Sequence, residues 1–239
     1  MTTVDPRTAR MRRATTADQI KELILTRGLR PGDPLPTEAE LCDALGVSRS
    51  SVREAMRTLS TLDIVDVRHG HGTFVGEMSL HPMVEALVFR GVLAPAGAFA
   101  ALRDVVEVRL ALDLSVAENV VEAIHDDRSP ELAELDALVD EMERKAAAGE
   151  TFLEEDRAFH TRLLDALDNR LVGQLVGAFW DVHTAVAPQL GIAQPDDILI
   201  TAHAHGDMLE AARRGDVEAY RAAVVEHYAP LQRSIAKVS

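Results

Sequence analysis

A chain of 239 residues is long enough for two domains, each with its own core, and its single cysteine, Cys42, excludes an internal disulfide. Hydrophobic residues at 47%, charged residues at 27% and aromatics at only 4% describe a globular, mainly helical protein and exclude a low-complexity one. The net charge of −14 argues against a uniform nucleic-acid-coating surface, but residues 1–76 hold 11 Lys and Arg against 10 Asp and Glu, whereas residues 77–239 hold 14 against 29. Only the first part can approach phosphates comfortably. No run reaches the roughly 20 apolar residues of a membrane span, and the N-terminal arginines lack the apolar core of a signal peptide. A reducing, cytoplasmic location is expected, and Cys42 reads as a small helix residue.

Residues 1–14, with Arg7, Arg10, Arg12 and Arg13, read as a disordered arm. From Thr16, an amphipathic helix places Ile20, Leu23 and Ile24 on one face and stops at Gly28 and Pro31-Gly32. Thr37 and Glu40 have the spacing of a capping box for a second, short helix that ends at Gly46. Ser48 caps a third, whose inward stripe is Val52, Ala55, Met56 and Leu59. Two β-rich runs, Ile64 to Val67 and Thr73 to Val75, flank the glycine-bearing turn Arg68-His69-Gly70-His71-Gly72.

Three helices and a hairpin over residues 15–76 make a winged helix-turn-helix, in which the second helix of the motif enters the major groove of DNA. Its first turn runs from Ser48 to Arg53, and Arg49 and Arg53, four apart, share a face opposite the apolar stripe. Residues 77–98 read as a linker with a short helix at about 83–92. From Phe99 to residue 239 the pattern is helical throughout, with breaks near 126–130, 148–151, 168–170, 188–197 and 215–216. The expected class is mainly α: the winged unit, then an all-α antiparallel bundle.

The runs Leu35-Pro36-Thr37-Glu38-Ala39-Glu40-Leu41, Leu45 to Ala55 and Arg68 to Val75 closely resemble the DNA-binding signature of the GntR family. The resemblance implies operator DNA as partner and a contact set of Thr37, Ser48, Arg49, Ser50, Arg53, Arg68, His69, Gly70, His71 and Gly72. Ala39 departs from the pattern, because many members of the FadR branch have Arg there, and no DNA contact is carried over to it.

In the acidic part, Asp156 and His160 lie four apart within the apolar stripe Phe152, Leu153, Leu163, Leu164 and Leu167, so two polar groups point inward. Gly215 and Asp216 suit a reversal between antiparallel helices. His205, ten residues before Gly215, and His227, eleven after Asp216, then stand level at about 15–17 Å from the turn. His205 shares a face with Met208, Leu209 and Ala212; His227 shares one with Tyr220, Val224 and Leu231. Buried unpaired, such groups cost several kcal/mol, so they are either four separately satisfied core residues or the ligands of one divalent transition ion.

Asp156-Arg157-Ala158-Phe159-His160, Asn169, His205, Gly215-Asp216 and His227 resemble the metal-binding pattern of the FadR C-terminal domain, FCD, assigned to residues 99–239. The resemblance implies a metal held by Asp156, His160, His205 and His227, zinc before nickel or manganese, and a small carboxylate effector near Arg109 and Asn169. Arg109 lies in the stripe Val105, Arg109, Leu112, Val116, and Asp113 one turn away is the alternative, internal partner for its charge. Trp180 and His183 read as core residues near that cavity. The expectation is a homodimeric repressor, with a purely dimerising C-terminal domain and a metal-dependent hydrolase as the alternatives.

Overall fold

The computed structural model describes residues 14–93, 97–125, 132–186 and 198–238, and the chain divides between Pro82 and Met83 into two compact units. The arm before Ala14, the linker residues 94–96 and the expected breaks at 126–130 and 188–197 lie outside the described residues.

The first unit contains α1 (Thr16–Thr26), α2 (Glu38–Leu45), α3 (Arg49–Thr61), β1 (Val65–Arg68) and β2 (Gly72–Val75). Both α1 and α2 open with a full capping box. In α2 the Thr37 hydroxyl accepts from the Glu40 amide, and the Glu40 carboxylate accepts from the Thr37 amide at 2.8 Å. Thr15 and Asp18 do the same for α1. Gly46 ends α2 in the left-handed conformation, φ +66°, which turns the chain directly into the Ser48 cap of α3.

Strands β1 and β2 pair antiparallel with Val65 opposite Val75 and Arg68 opposite Gly72, and Pro34 makes an isolated antiparallel bridge to Phe74. Ile20, Leu41, Val52, Leu59, Val65 and Val75 close one core under all of these elements. This is a winged helix-turn-helix.

The second unit is an all-helical bundle: α5 (Gly97–Ser115), α6 (Ala117–Ile124), α7 (Leu132–Ala147), α8 (Leu153–Asp165), α9 (Arg170–Val186), α10 (Ile198–Arg213) and α11 (Val217–Val238), preceded by α4 (His81–Leu93). Helices α10 and α11 run side by side across the Gly215 turn; α11 also packs on α5, α9 on α5 and α8, and α7 on α8 and α10. The short linker helix begins at His81, two residues earlier than expected, because Pro82 occupies its first turn, where no amide donor is needed. A break absent from the sequence expectation separates α5 from α6. The Ser115 hydroxyl donates back to the Leu112 carbonyl at 2.7 Å, and Val116 leaves helical geometry without any Gly or Pro.

Candidate functional sites

Helix α8 delivers Asp156 and His160 one turn apart, with Phe159 behind them fully buried. Its stripe is inward as expected at Phe152, Leu163, Leu164 and Leu167, but Leu153 is 41% exposed because it starts the helix on the solvent side. The α10–α11 pair supplies His205 and His227. Gly215, φ +71°, reverses the chain, and the Asp216 carboxylate accepts from the Ala219 amide at 2.9 Å to cap α11.

The three imidazoles are buried, and Asp156 Oδ1 lies 3.3 Å from both His160 Nε2 and His205 Nε2. His160 Nε2 is 3.2 Å from His227 Nε2, and one ligand atom from each of the four residues falls within 4.8 Å of all the others. Bonds of about 2.0–2.2 Å to a common ion space their donors at about 3–4 Å, a spacing that the three closest pairs already have and that the widest, within 4.8 Å, slightly exceeds.

Protonation strengthens that fit. His205 Nδ1 donates to the Thr201 carbonyl at 2.8 Å, which leaves its Nε2 lone pair facing the cluster. Burial pushes His205 below the ordinary imidazole range and His227 well below it, the neighbouring imidazoles adding to the effect. Burial works to raise the Asp156 carboxyl, but bonding to His160 and His205 overcomes it and holds the group well below its usual value. Lone pairs and a carboxylate therefore converge with too few protons between them. A single proton serves one such contact at a time, whereas a divalent cation serves all four.

Arg109, on α5, is 2% exposed, and its Nε and Nη2 have no hydrogen-bond partner among the described residues. Burial disfavours its charge, but Tyr228, Asp156 and Asp113 outweigh that cost and hold it ionised. Asp113 does not take up the two orphaned nitrogens: its Oδ2 accepts the Tyr228 hydroxyl at 2.6 Å and lies 4.0 Å from His160 Nδ1. The guanidinium carbon sits 5.4 Å over the Tyr228 ring. Among the described residues, His183, pushed down to about 4 by burial and by Arg109, has an unbonded Nδ1, and the buried Trp180 indole N–H has no acceptor.

Asn169 is not brought to this cluster. It is exposed in the turn before α9, where its carbonyl accepts from Val172, and it lines a surface cleft with Asn119, Glu122 and Asp168. Sequence reasoning missed Tyr228 and Thr201, which orient the site's side chains from behind. The first is adjacent to His227 and the second is one helical turn before His205, but neither contact has a signature short of the fold.

In the first unit all ten expected DNA-contacting residues are exposed. Thr37 and Ser48 spend their hydroxyls on helix caps, and the Ser48 hydroxyl also pairs with those of Ser50 and Ser51. Arg49 and Arg53 stand on the outer face of α3. At the wing tip Gly70 and Gly72 take φ +79° and +106°, the His71 amide donates to the Arg68 carbonyl, and His71 Nδ1 donates to the His69 carbonyl.

Comparison with known proteins matches residues 12–75 to the family described as bacterial regulatory proteins, gntR family, and residues 104–230 to the FCD domain. The chain is 24% identical over 231 residues to the galactonate operon transcriptional repressor of Escherichia coli (strain K12), covering 94% of this chain and 100% of that one. It is 49% identical over 105 residues to NedR of Micromonospora viridifaciens, 44% of this chain and 75% of that one. A solved structure of a Streptococcus agalactiae GntR superposes with a TM-score of 0.68 at 28% identity, covering 92% of this chain and 98% of that one. These matches are to regulators of transcription, which removes the hydrolase alternative. Among the described residues, no helix is long and apolar enough to cross a membrane. The chain belongs to the GntR family of bacterial transcription regulators, with an FCD domain, the counterpart of the FadR C-terminal domain, following its winged helix-turn-helix.

Proposed function

We propose that this regulator is a cytoplasmic homodimeric repressor whose operator affinity is lowered by a small organic acid bound at a metal centre in its C-terminal domain. Residues 15–76 form the operator-reading domain, with residues 1–14 as a basic arm and 77–98 as the linker, and residues 99–239 form the sensing domain. Asp156, His160, His205 and His227 would hold the ion, zinc before nickel or manganese. When bound, it would offer open coordination positions to a carboxylate or water. The observation that carries the reading is the convergence of these four donors in the unit that also buries Arg109 with Nε and Nη2 unbonded. A buried guanidinium edge with no acceptor among the described residues suits a carboxylate.

Within this site the protein's own residues bind and orient. Arg109 neutralises the acid, Tyr228 and Asp113 hold the surroundings of Arg109 and His160, and Phe159 and Phe152 wall the imidazoles off with edge-on contacts at 4.9 and 6.2 Å from the His205 ring. The relative named for repression of a galactonate operon supports the repressing direction and places sugar acids among the probes. The test titrates zinc-loaded protein onto a duplex that it has selected from a randomised library, with lactate, sugar acids and dicarboxylates added in turn. One of them weakens binding by about 5- to 150-fold, the usual span of such coupling. Affinity that stays constant with every acid would overturn the sensing role and leave the operator-reading role intact.

A further inference from the structure

The DNA-reading unit places carboxylates directly beside two of its exposed arginines, which is unexpected on a surface that approaches phosphates. Glu38, the first residue of α2, accepts from Arg53 of α3 at 2.9 Å, and Asp66 of β1 accepts from Arg68 at 2.7 Å. Both contacts use Nε alone. Elsewhere Arg144, Arg157, Arg162, Arg213, Arg214 and Arg221 each commit at least one terminal Nη to a carboxylate. An arginine held through Nε keeps its outer Nη1/Nη2 edge available, and that edge is one that can take a guanine O6 and N7 or two phosphate oxygens. Arg68 has a second restraint, its guanidinium lying 4.3 Å over the Phe74 ring.

We propose that Glu38 and Asp66 are positioning residues that aim Arg53 and Arg68 at the operator, an inference that rests on the reading above that these two arginines contact it. Each carboxylate fixes a long side chain before binding, so less rotamer freedom is lost on the DNA. Its own negative charge repels the phosphates of any duplex. Positioning helps only where the aimed edge finds its acceptor; repulsion acts everywhere. The pair therefore exchanges general affinity for discrimination.

The two effects have opposite signs and separate in one experiment. The full chain, loaded with zinc, is titrated against its library-selected duplex and against a scrambled duplex of the same length, as wild type, Glu38→Ala, Glu38→Gln and Arg53→Ala, with Asp66→Ala, Asp66→Asn and Arg68→Ala as the wing set. Glu38→Ala weakens the selected duplex about 2- to 10-fold, the worth of holding one long side chain still, while the scrambled duplex binds as well or better. Glu38→Gln, as neutral as Glu38→Ala but still able to accept from Nε, recovers part of the loss. If both Glu38 variants tighten, or weaken, the two duplexes by one common factor, the carboxylate is only a surface charge or a fold element and the proposal fails. Arg53→Ala separates the premises. Selectivity that survives it refutes the DNA contact itself, whereas selectivity lost in Arg53→Ala but kept in Glu38→Ala refutes only the positioning.

Discussion

Arg109 is buried and ionised, and among the described residues its Nε and Nη2 find no acceptor, so on the proposed reading it is a group waiting for an acid. Its charge is balanced by buried Asp113 and by Asp156, and removing one member of such a buried set leaves carboxylate charge uncompensated, at a cost of about 3–5 kcal/mol. Arg109→Lys, which keeps the charge but loses the Nε/Nη2 edge, should therefore stay folded, keep metal and operator binding, and blunt the response to the acid; an unchanged response would show that Arg109 does not take the acid. The imidazoles give a second test. His183, His205 and His227 all lie below the ordinary value of 6.5, so the unfolded chain takes up protons there that the folded chain refuses. Stability of the metal-free protein is thus greatest above 6.5 and falls as the pH drops through that value toward about 4, where His183 protonates. Thermal melts of chelated protein between about pH 7.5 and 5 should show this decline, and a flat profile would contradict it. At this scale the four donors were legible, since i,i+4 spacing and equal distances from a turn are properties of the chain. Asn169 was not, because a motif supplies identity and says nothing of exposure, and the Asp113–Tyr228 bond joins residues 115 apart that only the α5–α11 packing brings together.

Helix ends decide how these side chains are presented. The Thr37 and Ser48 caps were legible because a hydroxyl at the helix start is a local chemical event. The α5–α6 break was not, because Ser115 and Val116 bend the chain by a back-bonded hydroxyl rather than by Gly or Pro. Two glycines carry elements that later function needs. A Cβ on Gly76 would stand 2.2 Å from the Asp63 carbonyl oxygen, which is backbone and has no room to yield. Gly76→Ala should destabilise the winged unit by about 4 kcal/mol or more, read by urea unfolding as loss of operator binding while the metal content stays. Gly215 combines φ +71° with the His125 ring 3.0 Å from its would-be Cβ, and His125 Nδ1 bonds the Arg213 carbonyl. Gly215→Ala should cost at least about 1 kcal/mol and shift α10 against α11, so metal affinity should fall with stability. Unchanged affinity would mean that the turn does not set the level of His205 and His227.

Across the whole chain, the division of charge at the end of the wing foreshadows a division of labour. The described arginines of the nearly neutral first part are exposed, whereas the acidic remainder buries Arg109. The family resemblance and the mainly α class were readable from motifs because capping residues, wing glycines and the inward polar residues all occur at fixed spacings. The carboxylate partner of Arg53 was not readable, since Glu38 and Arg53 are fifteen residues apart on different helices. What joins the two parts into a sensor is the claim that four distant side chains hold one cation. Elemental analysis of the full-length protein, zinc-loaded and then exhaustively dialysed, tests that claim most directly, with thermal melts confirming that each variant is folded. One divalent ion per chain is expected, falling close to zero in folded His205→Ala and His227→Ala. A wild-type chain that retains no ion, or folded variants that retain the full complement, would contradict it.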